Sequence, residues 1–143
     1  MICADTSFLF SLYGSDVNTT AAQNQVRASY ALLHVHVVNS FEFENAVRLR
    51  HFQGKLTSTE RDQIITGYRG DVRSGCIIQV SPSMSDVFNE ASRLSASHTE
   101  TLGTRAYDIL QVAAALQLGA TEFWSFDGKQ RMLAQAEGMT VGP

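Results

Sequence analysis

Four acidic residues stand where an α/β chain could use them together. Asp5 follows the first apolar run, Glu42 lies just past the second, Asp127 follows the fourth, and Asp108 opens the most apolar stretch of the chain. If those runs are parallel strands of one sheet, the four carboxylates gather at its carboxyl edge, where such folds bind ligands. Carboxylates held close raise one another's pKa unless a positive charge lies between them, so the arrangement calls for a cation. Oxygen donors without Cys or His favour Mg²⁺ or Mn²⁺ over zinc. Each acid also has a local reading: Asp127 with Gln130 forms D-x-x-Q, a helix cap, and Glu42 suits the first turn of a helix. Asp5, ending a buried strand, and Asp108, beside Ile109, Leu110, Val112, Ala113 and Ala114, are harder to explain that way. A partly buried carboxylate needs a partner.

The elements that must position these acids follow from hydrophobic period and punctuation. Residues 1–4 read as a short buried strand and 7–13 as a helix. Ala22, Val26, Tyr30 and Leu33 give an amphipathic helix over 20–33. The β-branched run 35–39 reads as a second strand, after which Ser40 caps a helix with Phe43, Ala46, Val47 and Phe52 inside. Thr57 and Glu60 form a T-x-x-E capping box ahead of the stripe Ile64, Ile65, Tyr68, Val72. Residues 76–80 give a third strand stopped by Ser81-Pro82, and Ser83 with Asp86 caps a helix carrying Val87, Phe88, Ala91 and Leu94. Residues 106–118 are apolar on nearly every side, so this helix is central, and Gly119 stops it. A fourth strand (121–126), a helix (128–137) and a short fifth strand (139–141) follow. Strands alternating with helices predict one α/β domain over 1–143, with a mostly parallel five-stranded sheet and helices on both faces.

Composition narrows the function. At 143 residues the chain makes one domain, and no apolar run approaches the ~18 residues that cross a bilayer. The amino end has no Lys or Arg before its apolar run and already has Asp5, a poor secretory signal, so a cytoplasmic location is expected. Cys3 and Cys76 are too few for a disulfide framework and read as buried, reduced strand thiols. A net charge of -3 argues against a surface that coats nucleic acid. With the four site acids set aside, 11 basic residues face 10 acidic ones, which leaves room for an RNA-binding rim. His34 and His36 share a strand face but lack a third metal ligand nearby.

Four segments in order, ADTSFLF, FEFENAVRL, TRAYDILQVAAAL and FWSFDGKQRMLAQAEGMTV, carry a further signal. With them the chain resembles PIN domains of the bacterial VapC-type toxin group over nearly its whole length. The resemblance implies a three-layer PIN-like ribonuclease whose Asp5, Glu42, Asp108 and Asp127 bind one or two Mg²⁺ or Mn²⁺ ions. It implies RNA hydrolysis leaving 5′-phosphate and 3′-hydroxyl ends. Glu42 is preferred to Glu44 because the family pattern places Asn three residues after its acid, where Asn45 stands; on a helix the two share a face, which makes Asn45 an orienter. Thr6 and Ser125 fall where the family often has hydroxyls that bond the site's acids or waters, against the alternative of hydroxyls satisfied locally. Arg105, Lys129 and Arg131 flank the acids in sequence and are the candidates for RNA phosphate contact, against plain solvated charge.

The chain departs from the family at Gln111, where His is commoner, and at Ser125, where Thr is commoner; neither change removes a carboxylate. A homodimer neutralised by a small VapB-like antitoxin, whose chain end offers an Arg to the acids, is also implied. A haloacid-dehalogenase-type phosphotransferase would need a second Asp where Ser7 stands. A response-regulator receiver would need an Asp at the end of the third strand, where Val80-Ser81-Pro82 has none. A non-toxin RNA-processing nuclease and a silent PIN-fold binding module remain, the latter disfavoured by the presence of all four acids.

Overall fold

The computed structural model describes residues 1–143. Its elements are β1 (Ile2–Ala4), α1 (Thr6–Tyr13), α2 (Thr19–Ala28), β2 (Leu33–His36), α3 (Val37–Phe52), α4 (Ser58–Ser74), β3 (Ile77–Val80), α5 (Met84–Leu102), α6 (Ala106–Gln117), β4 (Glu122–Trp124), α7 (Gly128–Ala136) and β5 (Thr140–Gly142). The strands form one sheet in the order β3-β2-β1-β4-β5, and every neighbouring pair is parallel. The sheet expected to be mostly parallel is wholly so.

Strand alternation divides the core into two layers. Ile2 and Ala4 of β1 join Phe8, Val35, Phe43, Tyr68 and Trp124 on the face covered by α1–α4. Cys3, between them, points the other way and joins Leu94, Val112, Phe123 and Leu133 under α5–α7. The alanine run 113–115 is fully buried because α5 and α7 both pack on α6 over the sheet. Small side chains there let three helices approach closely. The helices thus cover both faces of the sheet, as the periodicity implies.

From β1 the chain steps outward to β2 and β3, then returns to place β4 on the other side of β1. A crevice forms outside the strand ends at such a reversal. Asp5, whose backbone N–H donates to the Trp124 carbonyl at 3.0 Å, stands on one lip, and residues 125–127 stand on the other.

Several local expectations shift. The helix expected over 20–33 ends at Ala28, and Leu33 instead opens β2, buried and paired with Ile2 and Ile77. The strand expected over 35–39 stops at His36, whose ring Nδ1 accepts from the Asn39 N–H at 3.2 Å and caps α3 in place of Ser40. Val37 and Val38, read as strand for their β-branched side chains, are the first turn of that helix. Ser40 is inside it, bonded to the Tyr68 hydroxyl at 2.6 Å. The Thr57–Glu60 capping box forms as expected. Ser83 caps α5 without a side-chain bond, and Phe88 is exposed while Val87, Ala91 and Leu94 are buried. Cys3 is buried as expected, but Cys76 is exposed ahead of β3. No helix is long and apolar enough to cross a membrane.

Candidate acidic site

Asp5 leaves β1 as the N-cap of α1 and is 0% exposed. Its Oδ1 accepts from the Phe8 N–H at 2.8 Å, and its Oδ2 accepts from the Ser125 hydroxyl at 2.7 Å. Ser7 Oγ lies 2.8 Å from both carboxylate oxygens and itself accepts from the Phe126 N–H. Burial pushes the Asp5 carboxyl up to about 7; the bonds from Phe8, Ser125 and Ser7 oppose that, and the charge of Asp127 adds to it.

Asp127 follows β4 and caps α7, its Oδ1 accepting from the Lys129 and Gln130 N–H groups at 2.9 and 3.0 Å. Its own N–H donates to Ser125 Oγ, so a single hydroxyl joins the two acids. Asp108, in the first turn of α6, accepts from the Arg105 N–H through Oδ2 at 2.9 Å, while Gln130 Nε2 lies 3.4 Å from its Oδ1. Asp108 and Asp127 together line a pocket of about 320 Å³ with Arg105, Gly128, Lys129 and Met132.

Glu42 is held differently. In the second turn of α3 and half-buried, its Oε2 lies 2.6 Å from the Thr6 hydroxyl and accepts from Gln111 Nε2. Thr6 Oγ1 also lies 3.0 Å from Asn39 Oδ1, and Asn39 Nδ2 donates to the Ala4 carbonyl at the end of β1. Gln111 is 1% exposed. His36, buried and held neutral with its pKa lowered to about 4, has an otherwise unpartnered Nε2; the Gln111 amide, whose Oε1 is likewise unpartnered, partly opposes that lowering. Since His36 Nδ1 accepts at the α3 cap, Nε2 carries the ring proton, and the Gln111 amide lies near it without completing a hydrogen bond.

Asn45 is exposed, and the side-chain bonds to Glu42 come from Thr6 and Gln111 instead. Because α3 runs away from the strand ends, the Asn one turn before Glu42 reaches the site and the Asn one turn after it does not. Asn39 and Gln111 are therefore the amides that sequence reasoning missed, and the visible signal for the second was a single polar side chain within the apolar run 109–116 of α6. Arg131 also stands apart from the expectation of phosphate contact: its Nη1 donates to the Ser125 and Pro143 carbonyls at 2.7 and 2.8 Å. Lys129 lines the pocket while its Nζ donates to the Gly103 carbonyl at 2.6 Å.

None of the four acids is in an ion pair; Glu44, Asp62, Glu90 and Glu137 are the acids that are. Hard oxygen donors with no Lys or Arg paired to them suit Mg²⁺ or Mn²⁺ in kind. The acids are nevertheless not drawn onto one point: no three His, Cys, Asp or Glu side chains converge as a ready ion cage. The donor chemistry fits a divalent ion, and Asp108, Asp127, Asp5 and Glu42 are the residues that would hold it.

Solved structures with the same fold include VapC20 of Mycobacterium tuberculosis, described as a sarcin-ricin-loop-cleaving toxin, at 17% identity over 100% of both chains and a TM-score of 0.74. FitAB bound to a DNA fragment matches at 15% identity over 99% of this chain and 93% of that one, with a TM-score of 0.69. A chain of FitAcB from Neisseria gonorrhoeae matches at 15% over 100% and 97%, with a TM-score of 0.65. No curated protein matches the sequence. The family model for the PIN domain matches residues 2–136, nearly the whole of the sheet and its helices, and the chain belongs to the PIN domain family.

Proposed function

We propose that the protein is an Mg²⁺- or Mn²⁺-dependent ribonuclease acting in the cytoplasm, and the toxin of a VapBC-type toxin–antitoxin pair. The observation that carries this reading is the set of four acids near the strand ends, none neutralised by a Lys or Arg: Ser125 and Gln130 link Asp5, Asp127 and Asp108, and Thr6 and Gln111 hold Glu42 separately. A bound divalent ion supplies charge relief for the phosphate and makes a water nucleophilic near neutral pH. Asp5, Glu42, Asp108 and Asp127 hold it, with Ser125 and Ser7 orienting Asp5. Thr6 and Gln111 orient Glu42. Arg105 and Lys129, on the rim of the Asp108–Asp127 pocket, meet the phosphate backbone.

A VapB-like antitoxin is the expected partner, a reading supported by the likeness to FitAB. A homodimer is expected too, consistent with Phe41 on α3 and Phe88 on α5 lying largely in solvent. Light scattering of the purified chain, and of the chain with any small protein encoded beside it, tests both. The lack of a formed ion cage favours a second reading, a silent binding module. Incubating RNA with the protein in Mn²⁺, in Mg²⁺ and in EDTA separates the two: cleavage dependent on the ion supports the nuclease, and intact RNA in all three supports the module.

A further inference from the structure

Six of the 11 Lys and Arg residues lie between positions 37 and 74, on the hairpin of α3 and α4, against five acids there; the rest of the chain has five basic residues and nine acidic ones. Arg48, His51, Arg61, Asp62, Thr66 and Arg69 line a pocket of about 510 Å³ whose one apolar wall residue is Ile65. The guanidinium groups are held in place. Arg69 grips Glu44 with two bonds of 2.7 Å, Arg48 reaches the same carboxylate at 2.9 Å, and Arg61 pairs with Asp62 at 2.8 and 3.0 Å. Glu44, mostly buried by its two partners, is kept well below the usual carboxylate range by them. One carboxylate between two guanidiniums leaves a net positive charge, and each Arg keeps N–H donors free of Glu44. Arg48 and Arg69 remain about half exposed.

We propose that this pocket is a second phosphate-binding subsite, taking the sugar-phosphate backbone of the RNA a few nucleotides from the bond cut at the acidic edge. The proposal rests on the ribonuclease reading. α3 connects the two places physically, since Glu42 sits near its start at the sheet edge and Arg48 lies six residues on, about 9 Å along the axis. A fork of fixed guanidiniums in a polar concavity suits phosphate oxygens, and phosphate contacts carry no sequence information. The subsite therefore adds affinity for length of strand and not for sequence.

The test compares wild type, Arg48→Gln/Arg69→Gln and Arg61→Gln, the last leaving both Glu44 pairs intact so that any loss is separate from disturbance at Glu44. Binding of a 12-nucleotide RNA in EDTA is followed across salt concentration, and cleavage of the 12-mer and of a dinucleotide is followed in Mn²⁺. The double variant should raise KM for the 12-mer about tenfold at unchanged kcat, leave dinucleotide cleavage alone, and flatten the salt slope by about 1.4, or about 0.7 for each phosphate no longer neutralised by an Arg. Arg61→Gln should flatten it by about 0.7. Unchanged KM and slope in both variants, with wild type still cutting and binding, would overturn the subsite alone. A wild type that neither cuts nor binds RNA would contradict the nuclease reading beneath it. Variants that keep RNA binding but lose binding to polyglutamate would assign the pocket to an acidic protein and overturn the proposal.

Discussion

Asp108 and Asp127 are held by backbone amides within three residues of themselves, whereas Glu42 is held by side chains 36 and 69 positions away. The first pair are helix caps. Each satisfies orphan N–H groups with one oxygen and lies at the positive end of a helix, which favours its charge without any other element. Glu42 depends on three elements being docked at once: α3 itself, Thr6 at the exit of β1, and Gln111 on α6. One side of the site is therefore built locally and tolerates distant change, and the other reports on the whole fold. Asp5 belongs to both, capped by the Phe8 amide and bonded to Ser125 across the switch point.

The largest difference should appear in pH dependence. Asp5, with its folded pKa near 7 against an ordinary value of 3.8, keeps its proton in the folded chain after the unfolded chain has lost it. Its contribution is present below about pH 4 and is lost as pH rises to about 7, on the order of 4 kcal/mol. His36, lowered from 6.5 to about 4, does the reverse: stability is present above about 6.5 and is lost as pH falls to about 4, on the order of 3 kcal/mol. In EDTA the two oppose each other between pH 4 and 6.5. Asp5→Asn should remove one arm, so that urea unfolding of the variant shows stability falling on acidification where wild type is nearly level. A variant profile matching wild type would contradict the raised pKa of Asp5.

Gln111→Leu comes next. It leaves the half-buried, charged Glu42 carboxylate and the Thr6 hydroxyl without their shared amide donor, costing about 3 kcal/mol in urea unfolding. A cost below about 1 kcal/mol would mean that Glu42 is not held from α6. Metal sharpens the comparison from the other side. Mn²⁺ at 100 times its Kd should stabilise wild type by about 2.7 kcal/mol, and Asp127→Asn should lose most of that increment. A melting temperature indifferent to millimolar Mn²⁺ in wild type would count against the four-acid site. The smallest effect belongs to Gln130→Leu on the capped side, about 0.5 kcal/mol or none, because its amide reaches Asp108 only at 3.4 Å and its Oε1 has no partner to lose. Equal costs for the two glutamine variants would erase the distinction between the halves.

The capped half was legible because its causes are local. D-x-x-Q at 127–130 is a cap in sequence and in structure, and Asp108 is conspicuous at the head of an apolar helix. Strand alternation and the Thr57–Glu60 box gave the layers for the same reason. What holds Glu42 was not legible, because no sequence spacing connects residues 6, 39, 42 and 111. Asn39 was hidden in a stretch read as strand, where Val37 and Val38 have β propensity that the docking of α3 overrides. Gln111 was visible as an oddity without a role, and Asn45 was given one by helical spacing alone, which fixes a face but not which end of the helix meets the sheet. Arg131 shows the same limit, its charge directed to two backbone carbonyls that lie beside it only after β4 and the chain end have paired.

Asp108→Asn bears on the central claim most directly, because it keeps the volume and removes the charge. RNA cleavage in Mn²⁺ and the melting temperature in EDTA should be measured on one preparation beside wild type. The account predicts that wild type cuts RNA only with the ion, and that the variant does not cut yet melts at the same temperature or higher, since repulsion near Asp127 is relieved. A variant that melts much earlier and still cuts would make Asp108 a scaffold residue and contradict the four-acid site.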